Sequence, residues 1–143
     1  MRTLLNVLFV AMVAALYVGC GEKGVKPTLV GSWQLEGVCY AGNDFIPLAD
    51  DRKECYTFIV GTEGCYDAFR CGYGKASANQ IRLFFYMDSI RIGSTKIYEE
   101  IDDAIMFMNL YAKINRYELR QNKLKLFSAD SANNYLLYHK ISE

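Results

Sequence analysis

Leu29-Val30-Gly31-Ser32-Trp33-Gln34-Leu35-Glu36-Gly37-Val38-Cys39 opens the folded part of the chain. Trp33, Leu35 and Gly37 fall on one side of this stretch, and Gln34, Glu36 and Val38 on the other. That period of two marks a strand with one face in a core. Residues 40–54 then carry Gly, Asn, Pro and Asp and read as a long loop. Residues 55–60 are aromatic and β-branched, a second strand. Gly61-Thr62-Glu63-Gly64 turns the chain, and 65–73 is expected to return antiparallel. A small polar turn is expected over 74–79. The next strand covers 80–87, with Ile81, Leu83 and Phe85 on one face.

The period changes after residue 96. Apolar residues at Ile97, Ile101, Ala104, Ile105, Met108 and Ala112 step by three and four, which predicts an amphipathic helix. Ser94 or Thr95 is placed to cap it, and Glu99, Glu100, Asp102 and Asp103 suit the positive end of its dipole. Strands over 115–120 and 123–128 flank a Gln121-Asn122 turn, and 134–141 supplies the last strand. Open edges are hard to tolerate among so many short strands. The expected fold is therefore α+β: a mostly antiparallel, barrel-like sheet of about seven to eight strands with one amphipathic helix.

Composition bounds the function classes. A chain of 143 residues fits one domain. Sixteen basic residues balance sixteen acidic ones, so there is no basic excess for nucleic acid. Eight Phe, eleven Tyr and one Trp provide ample material for a core.

The first twenty residues read as an address. Arg2 supplies a positive charge, residues 4–18 are apolar except Asn6, and Gly19-Cys20-Gly21 follows. The apolar stretch is short for a membrane-spanning helix, which needs about 20 residues. Leu16-Tyr17-Val18-Gly19-Cys20 resembles the lipobox of bacterial lipoproteins, departing from it at Tyr17, where a small aliphatic residue is usual. The resemblance implies that 1–19 is a cleaved signal peptide and that Cys20 becomes the lipidated first residue. Several acyl chains then anchor firmly where one is marginal. Residues 20–28 read as a lipidated, flexible tether. Gly21 stands where Asp would retain the protein in the inner membrane by resemblance to the enterobacterial sorting rule, so the expected location is the outer membrane of a bacterial cell envelope. The expected partner is the membrane, through that anchor.

The order of elements carries a second resemblance. Leu29-Val30-Gly31-Ser32-Trp33-Gln34-Leu35 leads to Tyr56-Thr57-Phe58 and a return containing Gly64-Cys65 and Gly72-Tyr73. Gly93-Ser94-Thr95 precedes the helix, and Ile114-Asn115-Arg116-Tyr117-Glu118-Leu119 and Leu124-Lys125-Leu126 follow it. This resembles the META domain of HslJ-like envelope lipoproteins, with residues 29–143 as the META-like domain. Tyr66 departs from the Gly-Cys-Asn that is usual in that return strand. The resemblance implies a barrel-like α+β fold with ties to envelope stress or maintenance, and no catalytic chemistry. A Gly-x-Trp start is shared with lipocalin-like barrels, so a carrier of a small apolar ligand is the competing reading. The interior discriminates: large residues at Trp33, Leu35, Ile81, Leu83, Phe85, Leu124 and Leu126 would fill it.

With Cys20 acylated, Cys39, Cys55, Cys65 and Cys71 remain, an even count suited to two bridges in an exported protein. Antiparallel pairing across the 40–54 loop favours Cys39–Cys55 with Cys65–Cys71; Cys55–Cys71 is the rival. The spacing does not suit a structural zinc site, and no C-x-x-C redox pair is present. No cofactor is expected. His139 is the one histidine and lacks a recognisable nucleophile motif beside it. Asp44, Asp50 and Asp51 lack calcium-loop spacing and read as a solvated loop. The many aromatics read first as packing, with an aromatic docking face as the functional alternative.

Overall fold

The computed structural model describes residues 28–143. The expected signal peptide over 1–19, the expected lipidation site Cys20 and the expected tether before Thr28 lie outside the described residues.

The strands are β1 (Gly31–Cys39), β2 (Ile46–Pro47), β3 (Tyr56–Val60), β4 (Arg70–Ala76), β5 (Asn79–Phe85), β6 (Ile90–Ser94), β7 (Ile114–Arg120), β8 (Lys123–Ser128) and β9 (Tyr135–Ser142). One helix, α1 (Asp102–Tyr111), lies between β6 and β7. Eight strands run in the order β6-β5-β4-β3-β1-β9-β8-β7, every ladder antiparallel. The short β2 pairs with the end of β1 beyond the reach of β3.

The sheet curls until its outer strands, β6 and β7, lie side by side, a nearly closed α+β barrel. No ladder joins them. Tyr117 on β7 spans the seam instead: its hydroxyl donates to the Tyr86 carbonyl at 2.6 Å, and its ring meets Phe85 edge-on at 5.3 Å.

Alternating strand direction gives the barrel two distinct ends. The start of β1, the 61–69 and 86–89 connections, the 121–122 turn and the C-terminus share one end, where the described residues begin at Thr28. The 40–55 loop, the 77–78 turn, α1 and the 129–134 loop share the other. Phe107 of α1 packs against Tyr56 with ring centroids 5.4 Å apart, so the helix closes that second end.

Inward positions are large and apolar. Phe58 stands at the centre, with Trp33, Phe85 and Tyr138 around it at 6.5, 6.5 and 4.8 Å. Each such side chain contributes roughly 1.5–3 kcal/mol on burial. Gly74 faces Phe58 across the β3–β4 ladder, and a methyl group there would collide with the Thr57 carbonyl oxygen and the Phe58 backbone. Glycine thus lets the two strands approach closely enough to bend around the ring.

Several sequence expectations are corrected. The β1 ladder with β9 slips between Leu35 and Gly37, a bulge that leaves Glu36 unpaired. The alternation inverts there, so Val38 turns into the core rather than sharing a face with Gln34. β4 begins at Arg70 and runs through Ala76, so the expected turn over 74–79 shrinks to Ser77-Ala78. β6 was not anticipated, and Ser94 belongs to it rather than to a helix cap.

The helix starts at Asp102, a turn later than the periodicity suggests, and no side chain caps it. The buried Asn79 explains this. Its amide accepts from the Ile97 N–H at 2.7 Å and donates to the Ile97 carbonyl at 3.0 Å, holding the preceding segment extended. The buried helix face is Ala104, Phe107, Leu110 and Tyr111, while Ile97, Ile101 and Ile105 face solvent. The bulkier set won the core.

Gly74→Ala should lower unfolding free energy in urea by about 3 kcal/mol, the upper range for overpacking, because the obstruction is backbone that cannot rotate away.

Candidate functional site

The barrel interior is not a site. Trp33, Leu35, Ile81, Leu83, Phe85, Leu124 and Leu126 are at most 2% exposed and occupy it. A small cleft of about 190 Å³ lies between Leu35, Val38, Leu48 and Met106 at the helix end. It falls short of the roughly 300–1,000 Å³ usual for a small-molecule pocket.

A polar cluster fastens the helix end. Arg52 donates to the Asp103 carboxylate at 3.1–3.3 Å and to Ser77 Oγ at 2.6 Å. Ser77 Oγ donates in turn to Glu99 at 2.6 Å, and the Ala78 N–H donates to the other Glu99 oxygen at 3.2 Å. The Asp103 carboxylate holds the Arg52 guanidinium above its ordinary pKa. The Tyr56 hydroxyl is buried beside this pair without a hydrogen-bond partner. Burial raises its pKa most, Asp103 pushes the same way, and Arg52 opposes. Arg52 neutralises Asp103, and Glu99 is held by two neutral donors, Ser77 Oγ and the Ala78 N–H, an arrangement that suits a clasp between loop, turn and helix. Among the helix carboxylates, Asp102 and Asp103 sit in the first turn, whereas Glu99 is spent on the 77–78 turn.

His139 lies on β9, between β1 and β8 rather than at an edge. Its Nδ1 is 3.3 Å from a Glu36 oxygen that also meets Lys123. The β1 bulge aims Glu36 at this spot. Among the described residues no Ser or Cys nucleophile contacts His139, so the cluster is an ionic patch. Asp50 pairs with Lys53 at 2.7 Å, Asp44 and Asp51 are exposed, and no three His, Cys, Asp or Glu side chains gather into a metal cage among the described residues.

The cysteines divide unevenly. Cys65 and Cys71 are bridged, with Cα atoms 6.0 Å apart. A tight turn pairing Cys65 with Ala68 supplies the bent return this short bridge needs. Cys39 and Cys55 are free thiols, correcting the expected second bridge. The ladder explains it. Gln34 opposes Thr57, and the same register puts Cys55 opposite Glu36, three residues or about 10 Å short of Cys39. Disulfides need Cα atoms within about 7 Å. The Cys55–Cys71 rival fails too, because Cys55 neighbours Ser77 and Cys71 neighbours Gly61, at opposite ends of the barrel.

The concave surface that remains lies outside the barrel, over β3, β4 and β5. Thr57, Ile59, Tyr73, Lys75, Gln80 and Arg82 line a groove of about 440 Å³. It continues past Ile59 and Tyr73 into a hollow of about 530 Å³ beside 61–64 and the disulfide. Ile59 and Tyr73 oppose one another on the ladder and are 61% and 53% exposed, unusual for large side chains at the middle of a strand. The Arg82 guanidinium lies over the Tyr73 ring at 5.6 Å. Lys75 and Arg82 make no ion pair among the described residues. Both hollows are wide open, which suits an extended or macromolecular partner better than an engulfed small molecule.

Sequence reading missed this groove, although the signal was present. With Tyr56, Phe58 and Val60 inward, Ile59 had to point out. The Arg52–Asp103 contact carried no local signal, since the two lie 51 positions apart. No family model, curated protein or solved structure matches the chain.

Without reductant, iodoacetamide should modify Cys39 and Cys55 of the unfolded mature chain and spare Cys65 and Cys71, as peptide mass mapping would read. Replacing Cys65 and Cys71 together by Ser should cost about 2 kcal/mol, as expected for so short a closed loop.

Proposed function

We propose that the chain is a non-enzymatic, lipid-anchored protein of the bacterial cell envelope, of META type and held in the outer membrane. Its task is binding at the membrane surface, in envelope maintenance or stress. The observation that carries this reading is Gly19-Cys20 placed directly behind a charged start and an apolar run. The acyl anchor keeps the protein at one surface, and the barrel presents a fixed face there.

Two structural observations support binding over the alternatives. The filled interior favours an outward-facing module over a lipocalin-like carrier, which needs an internal cavity. His139 lies 3.3 Å from Glu36 and is hydrogen-bonded to no Ser or Cys among the described residues, which favours a binding module over a hydrolase. The groove over β3–β5 is the surface we assign to the partner. Its exposed Ile59 and Tyr73 supply apolar contact, and Lys75 and Arg82, which make no ion pair among the described residues, supply cations at its rim.

Cys20→Ala should move the protein from the membrane fraction to the soluble fraction or leave it as an uncleaved precursor, with loss of palmitate labelling. Continued labelling of that variant would contradict the anchor.

A further inference from the structure

The two ends of the barrel each expose apolar side chains. The helix end carries Ile97, Tyr98, Ile101 and Ile105, and the tether end carries Tyr66, Phe69 and Met87. From the point at which the chain enters the fold, we infer that the tether end is a membrane-contacting surface, with Tyr66 and Met87 seated in the lipid interface. This rests on the lipid-anchored reading above and goes beyond it, since an anchored domain can also stand clear of the bilayer.

Entry of the chain is fixed. The Thr28 carbonyl accepts from Lys140 Nζ at 2.8 Å, and the Leu29 carbonyl accepts from the Trp33 indole N–H at 2.8 Å. Thr28 and Leu29 border a hollow shared with Phe69 and Arg70, at the foot of the 61–69 connection. From Cys20 to Thr28 is eight peptide steps, which reach at most about 29 Å when fully extended. Reaching the helix end would require more. The nine residues of β1 rise about 23 Å along a barrel axis after strand tilt, and a helix layer adds about 10 Å. An anchor on this tether can therefore bring the tether end to the membrane but cannot carry the helix end there.

The local architecture suits that contact. Tyr66 and Met87 are each 87% exposed, at the tips of neighbouring connections. Tyr66 holds a left-handed backbone, φ +54°, a conformation that costs a non-glycine residue roughly 1–2 kcal/mol. In return its ring gains only an edge contact with Phe84 at 6.0 Å. The Cys65–Cys71 bridge and the Phe69 N–H bond to the Phe85 carbonyl fix the loop that presents it. Glu63, Asp67, Asp88 and Glu143 share this end with Arg70, Arg91, Arg120 and Lys123, so net charge gives little attraction. The contact depends on the apolar tips and on Tyr66, whose amphipathic ring is of the type that settles at headgroup depth.

The test uses the full mature chain, acylated at Cys20, in vesicles of phosphatidylethanolamine and phosphatidylglycerol with brominated acyl chains. Tyr66→Trp and Met87→Trp place a reporter at the tether end, and Tyr98→Trp places one at the helix end. Trp33 is fully buried and provides a common background. Intact mass reports acylation, and thermal melting reports folding of each variant. The tether-end reporters should shift to shorter wavelength and be quenched by the brominated chains, while Tyr98→Trp should remain unquenched. Quenching at the helix end instead, or at neither end of a folded and acylated protein, overturns the inference and leaves the anchor standing. A mature chain whose mass shows no acyl group overturns the anchor, and the inference falls with it.

Discussion

The close approach of β3 and β4 at Phe58 and Gly74 is the constraint on which the rest of the structure depends. Phe58 can reach the middle of the barrel because nothing projects from the position facing it. Trp33, Phe85 and Tyr138 then gather around one ring, and the sheet curls to enclose them. The dry surroundings are reflected in Tyr138, whose wholly buried phenol is raised far above its ordinary pKa by loss of hydration. Closing the sheet around so full a centre leaves the ends and the outer face as the places where binding can occur.

Those surfaces differ in kind. At the helix end, Arg52, Asp103, Ser77 and Glu99 consume one another's hydrogen-bonding capacity, and the arrangement is one of closure. Over β3–β5, Lys75 and Arg82 have no anionic partner among the described residues and stand beside exposed Ile59 and Tyr73. Large apolar groups there, beside cations without an ion pair among the described residues, are the features on which the proposed binding face rests.

Much of the fold was legible because period two is a direct consequence of strand geometry. Trp33 and Leu35, Ile81, Leu83 and Phe85, and Leu124 with Leu126 all lie inward as the alternation requires. The reading failed where a distant group intervened. Glu36 at the bulge inverted Val38, and Asn79 captured the backbone of Ile97 and delayed the helix. Helical spacing was satisfied by two faces of the same segment. The choice of Phe107, Leu110 and Tyr111 depended on the volume available above Tyr56, which no local pattern encodes. The bridge between Cys65 and Cys71 was expected only as the remainder of a Cys39–Cys55 pairing across the loop, and the ladder register rules that pairing out. The groove could be inferred at Ile59, whereas its partner Tyr73 needed the true start of β4.

The account holds that the barrel is solid and that binding therefore takes place outside it. Diffraction from a crystal of the mature domain pressurised with xenon addresses this directly, because xenon enters dry apolar voids and little else. The account predicts no xenon density among Trp33, Phe58, Leu83, Leu126 and Tyr138. An ordered xenon atom within that ring of side chains would reveal an internal cavity and return the carrier reading to first place.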